Sequence, residues 1–474
     1  MTAERSPAAS ILFALWLAEA TGAFETAMIY AAYKALIVTF HDPVKVGWLV
    51  TAFLLVSAGG AAVVGRSGDL YGRRRVLLWL LGAGAFGAAV SASATSFAAL
   101  LVGRSIEGLS AAILPLVIGL VRENLPRERV ALGIGLMISG ASAGTAAGLV
   151  IGGLLVDHFS WHAVFLASTS FALLSFGLVL AWVPRSHVAT GHARLDWVGG
   201  VLFVPAIAGL LLYISDGRVW GWGGPWMTVL LIASAALFAL WIARSLRTPD
   251  PLIDIRLFAD RRVLLANAIG ALVATGALQI TLVFSVLLQA PRWTGIGLGT
   301  SATLAGLAKL PSNLGSLFAG PLGGYLTERR GARLTMTGGG LLATSGWLLA
   351  MWQHGSVAML VAVLCVISFG TTILFAVGPT LLVAAVPSAR TSEAAAMMGV
   401  VRQLFIAVGA QLVAVLLATD TVIGPDGARY PTSDAFMLTM GVVPGLCGLA
   451  TLVALALPEA LQVGPAPAVS PAGA

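Results

Sequence analysis

Seven ionisable side chains fall inside long apolar stretches of this chain: Glu19, Glu25, Lys34, Arg104, Glu107, Lys309 and Arg402. A charge in a hydrocarbon environment costs about 2.5–3.5 kcal/mol on insertion scales, so each needs a partner, a water-filled cavity or a task. A carboxyl in such a place can take up and release a proton, and a neighbouring base can tune it or meet an anionic ligand. Glu25 is the first candidate for a proton carrier. Glu19, one and a half turns away on a different face, is the second. For both, the alternative is a permanent ion pair that only locks neighbouring helices. Arg104 and Glu107 stand three residues apart, close enough to pair on one side of a helix; Lys34 competes as a partner for Glu107. Lys309, close to Pro311 and Asn313, and Arg402, next to Gln403, are the embedded charges of the second half, and both are basic. Gln279 and Gln289 add neutral polarity there. A cavity with acids on one wall and bases on the other suits a zwitterion or an anionic amphiphile better than a simple lipophilic cation. Lys309, Gln279, Asn313, Arg402 and Gln403 are therefore the candidate substrate contacts.

The elements that position these residues are membrane helices. Of 474 residues, 58% are hydrophobic and 10% charged, against about 25% charged in an average soluble domain. Mean hydropathy is +0.94. Too few charges exist to coat a soluble protein of this length, so the chain reads as an all-α polytopic membrane protein. A spanning helix needs about 20 mostly apolar residues. Fourteen such runs can be drawn, at 10–39, 46–64, 76–97, 99–121, 131–156, 161–183, 196–215, 225–243, 263–290, 300–327, 333–353, 357–386, 393–419 and 434–457. The first is too long for a signal peptide and lacks a cleavage signature, so it counts as a retained helix. Of the 27 lysines and arginines, 19 fall on one side if the N-terminus is cytoplasmic, four on the other and four inside the runs. That bias places both termini in the cytoplasm. The net charge of +7 then reflects topology, and no nucleic-acid partner is expected. Cys365 and Cys447 lie in apolar stretches, and the six histidines show no metal-ligand spacing. No phosphate-binding loop or soluble insertion is present. Neither an enzyme nor a cofactor or metal is expected, and an ion gradient is the expected source of energy.

An internal repeat divides the chain. After the second run comes GRSGDLYGRRR, with Gly65, Asp69, Gly72 and Arg73; after the tenth comes GYLTERRGAR, with Gly324, Glu328, Gly331 and Arg333 at nearly the same spacing. Repeated at the second loop of each half, the pattern implies two homologous six-helix bundles. The expected domains are a first bundle over 1–195, an inserted helix pair and linker over 196–262, and a second bundle over 263–474 ending in a short disordered Pro/Ala-rich tail. Asp69 beside Gly72 and Arg73 can dock onto a helix N-terminus or a basic side chain of the opposite bundle. Glu328 and Arg333 would form a weaker copy of that gate.

GRSGDLYGRRR resembles the signature loop (motif A) of the major facilitator superfamily, and the fourteen-helix count resembles its drug:proton antiporter branch. GRSIEGLSAA (103–112) is similar to the fourth-helix motif B, with Arg104 as its membrane arginine. DWVGG (196–200), WGWGGPW (220–226) and VRQLFIAVGA (401–410) resemble that branch's inserted pair and thirteenth helix. The resemblance implies a major-facilitator fold and proton-driven export of an amphiphilic small molecule by alternating access. It also implies a bacterial plasma-membrane location and a monomer in the lipid bilayer. By the same resemblance Arg104 tunes the protonation of a nearby acid, either Glu107 or Glu25, and the Asp69 loop closes the cytoplasmic face. The chain departs from the branch pattern at Leu149, where motif C has proline, at Glu107, where motif B has glutamine, and in the first helix, where Glu25 and Tyr33–Lys34 replace an aspartate and a Leu-Pro pair. A dedicated exporter or flippase of a lipid-like or acidic metabolite is the alternative, and a non-transporting membrane sensor a third.

Overall fold

The computed structural model describes residues 8–186, 196–248, 251, 254–378 and 391–457; the side chains of some helical residues, including Gly65, Asp69 and Glu328, lie outside that description. The first half contains α1 (Ala8–Phe40), α2 (Pro43–Tyr71), α3 (Arg73–Ala92), α4 (Phe97–Glu107), α5 (Leu114–Asn124), α6 (Arg127–His158) and α7 (Trp161–Trp182). An inserted pair follows, α8 (Trp197–Trp220) and α9 (Pro225–Arg247). The second half contains α10 (Arg261–Thr275), α11 (Ile280–Gln289), α12 (Ala302–Arg330), α13 (Ala332–Trp352), α14 (Val357–Ala376), α15 (Thr391–Leu417) and α16 (Ser433–Leu455). Among the described residues, eleven helical spans are long and apolar enough to cross a bilayer, counting α4–α5 and α10–α11 as one each. The helices over the expected runs 300–327 and 333–353 form but fall short of that measure, and α8, over the run 196–215, is described continuously with its side chains only across Val198–Ile214, all of it apolar helix. In α12 the reason is Lys309, two prolines and five glycines.

Two spans are broken, and each break has a local cause. Between α4 and α5 the chain tightens into a 3₁₀ turn over Gly108–Ala112. Pro115, in the first turn of α5, has no N–H for the carbonyl four residues back. Between α10 and α11, Gly276 precedes a second 3₁₀ turn, Ala277–Gln279. The repeat is equally local: Gly72 alone separates α2 from α3 with φ 90°, and Gly331 alone separates α12 from α13 with φ 82°. Only a residue without a Cβ takes that backbone at little cost. One element has no counterpart in the sequence reading: Thr421–Ile423 and Arg429–Pro431 pair as an antiparallel hairpin with Val422 opposite Tyr430. Tyr430 packs edge-on against Trp293, ring centroids 5.3 Å apart.

Small residues bring α6 onto α1. A Cβ on Gly140, Gly148 or Gly152 would meet α1 at Trp16 O (2.9 Å), Phe24 O (2.7 Å) or Met28 Sδ (3.0 Å). Spaced by four and eight, these glycines share one helix face. The neighbouring face of α6 touches the other bundle: Gly153 lies on Ala302, and the Leu149 backbone lies on Gly306 of α12.

The two bundles are joined unevenly. At the end holding His41, Ser160 and Trp293, one apolar cluster takes residues from both halves, among them Phe24, Phe53 and Leu149 with Phe284, Trp347 and Val413. Toward the end holding Gly72 and Gly331 each half has a cluster of its own, one around Leu77, Leu116 and Val121 and another around Val273, Met336 and Ala450, beside a shared one that joins Leu55 and Ala58 of α2 to Phe203 and Trp241 of the inserted pair and Met397 and Val400 of α15. Polar bridges add to the closed end. Thr51 Oγ1 donates to Gln411 Oε1 (3.0 Å), and Ser285 Oγ donates to the Tyr30 carbonyl (2.7 Å). At the His41 end the Asp157 carboxylate caps α12, accepting from Ala302 N (3.0 Å) and Thr303 N (2.8 Å). The bundles are therefore closed at the His41 end. A carboxylate on a helix N-terminus combines charge-assisted hydrogen bonds with the helix dipole. Removing it in Asp157→Ala forfeits about 1.5–3 kcal/mol of closure, roughly a tenfold or larger rise in the open fraction. With both native cysteines replaced and a cysteine placed at Ala302, labelling by a membrane-impermeant maleimide should accelerate accordingly. Unchanged labelling contradicts the latch.

Candidate functional site

The break in the fourth span places a polar cluster in the middle of the first bundle. Arg104, at the end of α4, is completely buried and pairs with Glu107 on the same face, Nη1 to Oε2 2.5 Å. Its Nε donates to the Leu49 carbonyl (3.3 Å), and its guanidinium lies 4.3 Å from the centre of the Phe53 ring. The second Glu107 oxygen accepts from Ser91 Oγ of α3 (2.5 Å). Glycines make this approach possible, since a Cβ on Gly87 would meet Glu107 N at 2.6 Å and one on Gly84 would meet Ser110 Cβ at 2.6 Å.

Ser110, on the 3₁₀ turn, connects the pair to the first helix. Its hydroxyl donates to Glu25 Oε2, and Oγ also lies 2.7 Å from the Glu107 backbone carbonyl. A hydroxyl has one proton and two lone pairs. With Glu25 ionised, Ser110 donates to it; with Glu25 protonated, the acid donates to Ser110, which turns its own proton to the carbonyl. Both states keep this hydrogen bond. Arg104 and Glu107 neutralise one another, so Glu25 carries the charge of this cluster that has no fixed counter-charge. Its Oε1 is buried without a hydrogen-bond partner.

The other expected residues are distributed differently. Arg104 takes Glu107, and Lys34 forms no ion pair among the described residues, so the competing Lys34–Glu107 pairing is not formed. Glu19 on α1 and Arg402 on α15 interact electrostatically across the bundles, away from the closed end. No hydrogen bond joins them: Glu19 Oε2 and Arg402 Nε both lack partners, and the guanidinium lies 5.5 Å from the Phe375 ring centre. Gln403 Nε2 donates across the bundles to Ser57 Oγ (3.0 Å). Gln279 Nε2 donates to the carbonyls of Ala274 (2.8 Å) and Ile406 (3.1 Å), tying the broken ninth span to α15. Lys309 donates to Ser368 Oγ at 3.3 Å, and Asn313 lies one turn further along α12.

At the gate loop, Gly72 makes the turn between α2 and α3, and Arg73 Nη1 binds Glu123 Oε1 (2.8 Å) and the Gly119 carbonyl (3.4 Å) within its own bundle. The side chains of Asp69 and Glu328, and Gly65, lie outside the described residues; Arg333 is half-buried in the first turn of α13. Sequence reasoning missed Ser91, Ser110, Asp157 and Ser368. Ser110 alone carried a local signal, three residues after Glu107 and five before a proline.

Leaving a buried carboxylate without its base costs about 3–5 kcal/mol. Arg104→Leu should therefore lower the melting temperature of the detergent-purified protein sharply, and adding Glu107→Leu should restore most of the loss. A double variant no more stable than the single would show that the pair is not the fixed centre of this cluster.

Comparison with known proteins agrees with this architecture. The profile of the Major Facilitator Superfamily matches residues 15–243. The methyl viologen resistance protein SmvA of Salmonella typhimurium is 32% identical over 387 residues, covering 78% of this chain and 74% of the relative. The multidrug resistance protein Stp of Mycobacterium tuberculosis is 29% identical over 382 residues, covering 78% and 70%. The fold matches the xylose transporter XylE from E. coli with a TM-score of 0.62 at 14% identity, over 94% of this chain and 96% of that one. Two bundles joined at one end, spans broken in mid-membrane and relatives of this closeness lead to one statement: the chain is a multi-pass membrane protein that belongs to the Major Facilitator Superfamily of transporters.

Proposed function

We propose that the protein exports amphiphilic organic compounds in exchange for protons, by alternating access between its two bundles. The observation that carries the reading is the Glu25 carboxyl: buried, bridged by Ser110, and without a fixed counter-charge beside the self-neutralised Arg104–Glu107 pair. Such a group can take up a proton from one side and give it up to the other as access alternates. The names of the relatives point the same way, since SmvA confers methyl viologen resistance and Stp multidrug resistance.

In this reading the arginine-rich Gly72 end faces the cytoplasm, both termini are cytoplasmic, and the chain crosses a bacterial plasma membrane fourteen times as a monomer. The closed His41 end is then the outer face, and substrate enters from the opposite side. Opening outward requires Asp157 to leave α12 and the seam at Thr51–Gln411 to part. The Asp69–Gly72–Arg73 loop, with Glu328 and Arg333 as its copy, takes up the closing contact on the cytoplasmic side. Glu19 and Arg402 are drawn together as that side narrows. Glu25 is the proton carrier, with Arg104, Glu107 and Glu19 as its electrostatic setting.

The test is proton movement in everted vesicles with an acid interior. A transported compound should collapse the pH gradient in vesicles containing wild type, while Glu25→Gln should bind the compound without moving protons. Gradient collapse undiminished in Glu25→Gln removes Glu25 as the carrier. A folded wild type that moves no protons with any amphiphile contradicts the exporter reading.

A further inference from the structure

The second bundle buries a lysine with no acid to neutralise it. Lys309 is 5% exposed and forms no ion pair among the described residues; the hydroxyl of Ser368 is its hydrogen-bond partner, at 3.3 Å. An ammonium group has three donors, so most of its capacity is unspent. We propose that Lys309, with Asn313 and Thr371, forms the binding site for the anionic head group of the transported compound: a carboxylate, sulfonate or phosphate on an amphiphile. The proposal rests on the exporter reading and adds the substrate class to it.

The placement of Lys309 follows from helix geometry. Ala302, Gly306, Lys309 and Asn313 are spaced by four, three and four, which puts them on one face of α12. Two of the four show where that face points, because Ala302 lies on Gly153 and Gly306 lies on the Leu149 backbone, both in α6 of the first bundle. One turn further from the closed end, the same face carries Lys309 and Asn313 along α6. Opposite them α6 offers Ser142, Thr145 and Ala146, partly exposed and uncharged.

Behind this face, α14 runs in the same direction as α12. Ser368 meets Lys309, so residues one turn on in each helix, Thr371 and Asn313, stay at a common depth. Thr371 Oγ1 and Asn313 Nδ2 are both buried without hydrogen-bond partners. An amide N–H₂, a hydroxyl and an ammonium thus stand along two adjacent helices with donors to spare. A buried polar group without a partner costs free energy, and a ligand made only of acceptors satisfies all three. The embedded acids of the first bundle do not compete for this place: Glu107 is held by Arg104, Glu25 by Ser110, and Glu19 interacts with Arg402.

The test is equilibrium binding to the full-length protein in detergent at fixed pH, with no ion gradient, so it is independent of proton coupling. Naphthalene-2-sulfonate and the matched naphthyl trimethylammonium cation are the probes. Wild type should bind the sulfonate; Lys309→Gln should weaken it at least tenfold and leave the cation unchanged, while Lys309→Arg retains it. Thr371→Val, which keeps the lysine, should weaken the sulfonate about threefold and serves if Lys309→Gln does not fold. Equal losses for both probes, or a folded wild type that binds neither the sulfonate nor a short-chain phosphatidylglycerol, overturns the proposal. A short-chain phosphatidylglycerol arm separates the sources of the head group. Lys309-dependent competition by the sulfonate alone assigns a soluble amphiphile, and by the phospholipid alone a bilayer lipid. Lys309-dependent binding in a protein that moves no protons would retain this site and remove the exporter reading.

Discussion

A charge placed in hydrocarbon must be balanced, and in the first bundle the balance is struck between Arg104 and Glu107. Much of the local architecture serves that pair. Glycines at 84 and 87 let α3 approach closely enough for Ser91 to bind the free Glu107 oxygen. Leu49 supplies a carbonyl and Phe53 a ring face to the guanidinium. With this pair neutral, Glu25 becomes the variable charge, and the 3₁₀ turn caused by the Pro115 position brings Ser110 to it. The break in the fourth span is thus the feature that links a structural ion pair to a titratable acid.

A second constraint is close backbone approach. The glycine face of α6 fixes it on α1, while Leu149 and Gly153 on the adjoining face lie against α12. The segment is shared between a contact within the bundle, on α1, and a contact between the bundles, on α12. Where proline would have stood, Leu149 is buried and offers its backbone to Gly306. The shared apolar cluster, the Thr51–Gln411 bond and the Asp157 cap all act at one end. One end is closed, and toward the other each bundle keeps a core of its own beside a smaller shared cluster through α2, the inserted pair and α15.

Much of this was legible in the sequence because lipid imposes a simple code. The apolar runs coincide with helices to within a few residues, apart from the second, where α2 continues to Tyr71; the twelfth coincides with α14 up to Ala376, and its end beyond 378 lies outside the described residues. The repeat at Gly72 and Gly331 reads directly as a shared backbone conformation. Arg104 and Glu107 announced themselves by charge and by a spacing of three. What stayed hidden was carried by uncharged residues: Ser91, Ser110 and Ser368 are ordinary in a membrane helix, and their partners lie on other helices. Gln279 looked like neutral polarity for a ligand, yet its amide nitrogen is held by the carbonyls of Ala274 and Ile406. Asp157 gave no local signal, because the helix end it caps is 145 residues away. The hairpin at 421–431 was hidden because three-residue strands leave no periodicity to read.

The central claim is that a bound compound and a proton compete through Glu25. Calorimetric titration of the purified protein in buffers of different ionisation enthalpy counts the protons released on binding. The account predicts net proton release by the wild type, falling to zero in Glu25→Gln while the compound still binds. Equal release from both proteins, or none from a wild type that binds, would contradict it.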